Sequence, residues 1–160
     1  MGKLSAMFNR LFPGQFDNRF RGPRLAIWLL IPIVILRAII GFNSMIFTRS
    51  VATSADAIPL DTFGPDGAHT VMSLFALLGL YHLLVALLGV VVLIRYRSMI
   101  PFMYLFLLLQ QLGSKALLLA NPVVRSGPAN PASAVVYAIL AMTVAGFVLS
   151  LVSTFDSRSR

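Results

Sequence analysis

LAIWLLIPIVILRAIIGFNSMIF, residues 25–47, is the stretch whose reading decides the fold. Its 23 residues, at ~1.5 Å of rise each, are enough to cross the ~30 Å hydrocarbon core of a bilayer as one helix. Arg37 stands near its middle. A guanidinium does not lose its proton there, and a charge at that depth costs at least ~3 kcal/mol on insertion. Another part of the chain, or a partner, has to receive it. On the same helix Gly41 follows Arg37 at i+4, Ser44 continues that face, Trp28 suits an interfacial belt, and Pro32 predicts a kink.

Three more runs of comparable length follow, at 70–94, 100–120 and 134–152. Of the 160 residues, 58% are hydrophobic and 11% charged, against about a quarter charged in soluble domains. The expected fold is therefore an all-α integral membrane bundle of four transmembrane helices (25–152). A basic segment (1–24) precedes it and a short tail (153–160) follows. Four crossings place both termini on one side, with Lys3, Arg10, Arg19, Arg21, Arg24, Arg95, Arg97, Arg158 and Arg160. Only Arg49 and Arg125 fall on the other. The positive-inside rule then makes both termini cytoplasmic and predicts a multi-pass membrane protein. The first span is too long and too internal for a cleaved signal peptide.

Several functions are excluded at this level. There is no cysteine and no glutamate, so disulfides, thiolate metal sites and thiol redox chemistry are out. The net charge of +8 sits on the membrane-flanking segments, which points to a lipid surface rather than nucleic acid. Asp56, Asp61 and Asp66 lie five apart in a loop with Pro59, Gly64, Pro65 and Gly67. That spacing fits no calcium loop, and a solvated loop is expected.

Ahead of the first span, Leu4, Met7, Phe8, Leu11 and Phe12 follow helical spacing up to Pro13 and Gly14. They predict a short amphipathic helix lying in the interface, the alternative being a disordered basic tail. Myristoylation is not expected, because Ala6 stands where the motif needs Ser or Thr.

The run LFPGQFDNRFRG, residues 11–22, resembles the start of a group of bacterial four-helix membrane proteins without an assigned activity. Arg37 with Gly41, and the glycine-rich second helix, are similar to the DoxX-like families. Those families include accessory subunits of membrane oxidoreductases, so the resemblance implies a helper role and carries no catalytic residue onto this chain.

Ala76, Gly79, His82, Ala86 and Gly89 share one face of the second helix, which should turn inward because small residues let helices approach closely. Counted from the helix ends, Arg37 and His82 lie at similar depth. Gln110 and Gln111 sit near mid-span in the third helix, where Tyr104, Gln111 and Lys115 form one face with Ser114 beside it. Lys115 is expected to snorkel outward. Ala134, Ala138, Ala141 and Ala145 follow the spacing of a packing seam in the fourth helix.

Arg37, His82, Gln110 and Gln111 thus form the candidate intramembrane polar layer. It reads as glue between helices, as a site for an anion or a partner's acid, or as a cofactor site. No cofactor is required by the sequence. A bis-histidine haem fails because His69 and His82 are ~20 Å apart along one helix. Ser114 and Lys115 point ~100° apart and cannot act as a pair. An enzyme is not expected. The favoured function is a non-catalytic subunit or assembly factor of a larger membrane complex, in contact with the bilayer and other integral subunits. A small oligomeric carrier or channel for an anionic or amphipathic solute is the alternative.

Overall fold

The computed structural model describes residues 8–9, 11–12, 14–15, 17–20, 22–126 and 131–152, with side chains from 134 in the last stretch. Leu4 and Met7 of the N-terminal stripe, and the tail 153–160, lie outside the described residues. The described chain is all-helical. Four helices are long and apolar enough to cross a membrane, as in a multi-pass membrane protein. They are α1 (Arg24–Ile46), α2 (Pro65–Ile94), α3 (Ile100–Ala120) and α4 (Pro131–Leu151). No more than 33% of any apolar stretch is buried inside the chain. The remaining apolar surface of these stretches faces outward.

The helices start where backbone chemistry allows. α2 begins five residues earlier than its apolar run because Gly64 is extended, Pro65 needs no N–H partner and Asp66 faces the positive helix end. α3 opens with Pro101 in its first turn. α1 runs unbroken through Pro32.

The core lies in the half of the bundle nearest the α2–α3 turn, here termed the proximal end. There Leu30 and Ile33 of α1, Val92 of α2, Met103, Tyr104 and Leu107 of α3 and Ile139 of α4 pack together. The N-terminal segment closes that end. Asp17 N–H donates to Ser98 Oγ at 3.1 Å, and Ser98 returns its hydroxyl and backbone N–H to the Asp17 carbonyl at 2.9 and 3.2 Å. Phe12 N–H reaches the Phe8 carbonyl at 2.9 Å in a helical turn, and the Phe12 ring lies 5.8 Å from that of Phe102. The turn is thus docked against the start of α3, with Leu11 half-buried and Phe8 exposed.

At the distal end the connection after α1 is folded, where a solvated loop was expected. A helical turn (Thr48–Ser50), a π-helical turn (Val51–Ala55) and a 3-10 turn (Leu60–Thr62) bury Ala52, Ile58 and Leu60 against Val71, Met72 and Phe75 of α2. That platform lies in the first turns of the expected 70–94 run. Ala57 has φ 54°, a left-handed conformation that costs an L-residue roughly 1–2 kcal/mol. Its carbonyl accepts from the N–H and Oγ of Ser126 at 2.9 and 3.1 Å, tying the α3–α4 connection to this cap. The three aspartates diverge. Asp61 pairs with Arg49 at 3.1 Å on the surface, Asp66 begins α2, and burial pushes the Asp56 carboxyl up, opposed by Arg125.

A raised carboxyl binds its proton more tightly in the folded chain than in the unfolded one. The Asp56 contribution therefore stabilises below its ordinary titration range and is lost as pH rises through the shifted value. We expect Asp56→Asn to flatten the melting temperature of the folded chain across that acidic window, relative to wild type. An unchanged pH profile would show Asp56 to be solvated.

Candidate functional site

The polar layer is positioned by the α1–α2 crossing. A Cβ on Gly41 would meet the Gly79 carbonyl oxygen and Leu83 N at 2.8 Å, and a Cβ on Gly79 would meet the Gly41 carbonyl oxygen at 2.7 Å. The two backbones touch, and only glycine permits that approach. One turn toward the proximal end from Gly41 stands Arg37 on α1, and His82 follows Gly79 by three residues on α2. Farther along the seam Ala86 is buried, and Gly89 sits against Val34, where a Cβ would stand 2.5 Å from a methyl. Gly79, Ala86 and Gly89 thus occupy the inward face of α2, with Ala76 and His82 half-buried.

Arg37 is 4% exposed, and its Nε and Nη1 are buried without a hydrogen-bond partner among the described residues. His82 Nδ1 lies 2.8 Å from the Leu78 carbonyl. A carbonyl only accepts, so Nδ1 carries the proton, and in the neutral ring Nε2 keeps its lone pair. Gln111 Nε2 donates to the Leu107 carbonyl at 3.2 Å and to Thr143 Oγ1 at 3.0 Å. Thr143 donates onward to the Ile139 carbonyl at 2.6 Å. The carbonyl oxygens of Gln110 and Gln111 are buried and unpartnered.

The four layer residues share no hydrogen bond with one another among the described residues. Gln111 turns toward α4, and no hydrogen bond joins Arg37 to Gln110 or Gln111 among the described residues. Buried orphan donors and acceptors each cost about 1–3 kcal/mol. What this arrangement offers chemically is a fixed positive charge with free donors, suited to a carboxylate or another anion.

The α3 face of Tyr104, Gln111 and Lys115 runs along α4. The Tyr104 ring crosses Gly146, in contact with the position a Cβ would take, and its hydroxyl donates to the Ala26 carbonyl at 2.6 Å. The Lys115 ammonium stands 4.0 Å from the centre of the Tyr137 ring, an interaction the sequence did not suggest. Ser114 is exposed beside it.

The α4 seam requires a correction. Ala134, Ala138, Ala141 and Ala145 are exposed, while Ile139, Thr143, Gly146 and Ser150 are buried. Both rows have the same spacing. The inward row is the one that gives Gln111 a hydroxyl and Tyr104 a space, and its own hydroxyls are satisfied by backbone carbonyls. Thr143 and Ser150 were missed because spacing alone cannot rank two equal rows. Their hydroxyls beside Gly146 were the available signal. No group of three or more His, Asp or Glu side chains able to hold a metal occurs among the described residues.

The crossing makes its own prediction. Gly41→Ala and Gly79→Ala should each destabilise by about 1–3 kcal/mol, the usual cost of overpacking. Gly113→Ala, with nothing within 4 Å of its Cβ, should be neutral or stabilising by about 0.5–1 kcal/mol. Denaturant unfolding in mild detergent measures all three, and equal effects would remove the crossing from its central place. No protein-family model, no curated protein and no solved structure matches this chain, and what it does has to be read from its own geometry.

Proposed function

We propose that this protein is a non-catalytic integral subunit or assembly factor of a larger complex in a bacterial inner membrane, with both termini cytoplasmic. The observation that carries the reading is the outward alanine row of α4. Ala134, Ala138, Ala141 and Ala145 are all exposed, although small residues at this spacing are what membrane helices use to approach one another closely. The inward contacts of α4 are already made by its other row. The occupant proposed for the alanine row is a transmembrane helix of another integral protein, and the DoxX-like resemblance favours a respiratory or electron-transfer assembly.

Ala138→Leu and Ala141→Leu add bulk on a face that is exposed in the chain itself. Each should leave the melting temperature of the isolated chain unchanged and abolish stoichiometric recovery of a larger partner in mild detergent. Full recovery of the partner with both variants would reject the α4 interface. Recovery of a pure homo-oligomer with wild type would reject the subunit reading.

The second reading, an oligomeric carrier or channel for an anionic solute, is favoured by the unpartnered Arg37. In the chain purified free of small anions, Arg37→Leu should hold or raise the melting temperature, because an unpaired buried charge is replaced by an apolar side chain. In proteoliposomes the same variant should abolish anion flux. Flux that survives the substitution would remove the carrier reading.

A further inference from the structure

A second constellation lies at the proximal end, away from the Arg37 layer and the alanine row. A recess of about 650 Å³ is lined there by Arg19, Arg24 and Arg97 with Asn18, Phe20 and Ile27. It adjoins a recess of about 570 Å³, with Arg19, Phe20 and Gly22 as the common wall. We propose that this recess binds one anionic phospholipid, with the phosphodiester between Arg19, Arg24 and Arg97.

Three arginines line the first recess, and no carboxylate lines it among the described residues. The one ion pair among those residues joins Arg49 to Asp61 at the other end of the bundle, so none of the three arginines has an acidic partner among them. Asp17, the nearest acid in sequence, accepts from the backbone N–H of Arg19 at 3.2 Å rather than from its guanidinium. Arg97 is oriented by its Nε bond to the Leu93 carbonyl at 2.9 Å, which leaves its terminal nitrogens for a ligand. Planar forks with several donors are the groups that hold phosphate oxygens in pairs. The volume lies in the ordinary range for a small-molecule site.

The rest of the lining decides between a lipid and free phosphate. Ile27 supplies an apolar wall, and Trp28 beside it on α1 is 68% exposed. An acyl chain can leave the recess along that helix, whereas a free phosphate has no use for such a wall. The adjoining recess carries the amides of Asn9 and Gln15 beside Asp17, while its Ser98 and Ser150 hydroxyls are already given to backbone carbonyls. The amides and the Asp17 carboxylate can hydrogen-bond the hydroxyls of a glycerol headgroup, which makes phosphatidylglycerol the preferred lipid. The site is independent of the subunit and carrier readings, since it shares no residue with either.

The test uses the full chain in nanodiscs of equal parts phosphatidylglycerol and phosphatidylcholine, with retained lipid read by native mass spectrometry. Wild type should retain one phosphatidylglycerol in preference to phosphatidylcholine. Arg24→Gln and Arg97→Gln should each reduce that preference by about ten-fold, the worth of one charge-assisted hydrogen bond. Arg24→Lys should keep part of it. Arg95→Gln removes an exposed charge outside the recess and should change nothing. An equal loss with Arg95→Gln would reduce the effect to general surface charge and overturn the site. Inorganic phosphate added to phosphatidylcholine nanodiscs should not raise the melting temperature. Stabilisation matching that given by phosphatidylglycerol would overturn the lipid assignment.

Discussion

The contact on which the rest depends is the touching of two backbones, at Gly41 on α1 and Gly79 on α2. Among helices that share an apolar solvent, association comes from close packing, because lipid surrounds an apolar side chain as well as protein does. Removing two side chains at the crossing lets α1 and α2 meet along their length. The antiparallel pair then carries Arg37 into the interior as a consequence of its position one turn away. α3 has no such crossing with its neighbours. It packs well over its first half, through Met103, Tyr104 and Leu107, and its distal half is largely exposed around Gly113. The bundle is tight where glycine or a large aromatic fills it, and open elsewhere.

Much of this architecture was legible in the sequence. Helix number and approximate ends follow from run length. The inward face of α2 follows from where its small residues fall. The extra turn of α2 was also written there, in Gly64, Pro65 and Asp66, and was passed over because an apolar run is a poor guide to a polar helix start. The cap between α1 and α2 was harder to see. Ala52, Ile58 and Leu60 have no regular spacing, and they become a core only by packing on Val71, Met72 and Phe75 of α2.

The candidate site was legible in composition and depth but not in its bonds. Which polar groups share a level is a matter of arithmetic along each helix. Which of them meet depends on how each helix is rotated about its axis, and on α4 two rows of equal spacing compete. The row with hydroxyls wins because Gln111 and Tyr104 present demands that only Thr143 and Gly146 meet. That rotation gives the Gln111 amide to Thr143, and Arg37 keeps unpartnered nitrogens. Residue spacing cannot encode such a choice, because it is settled between helices rather than within one.

The paired bonds between Asp17 and Ser98 join positions 81 residues apart, and the Tyr104 hydroxyl reaches back 78 residues to Ala26. During synthesis neither bond can form until the start of α3 has left the ribosome. The first helical hairpin is therefore made with the N-terminal segment still undocked, and the proximal end closes only when the third helix arrives. The clasp is thus a late contact, formed after the α1–α2 pair is complete.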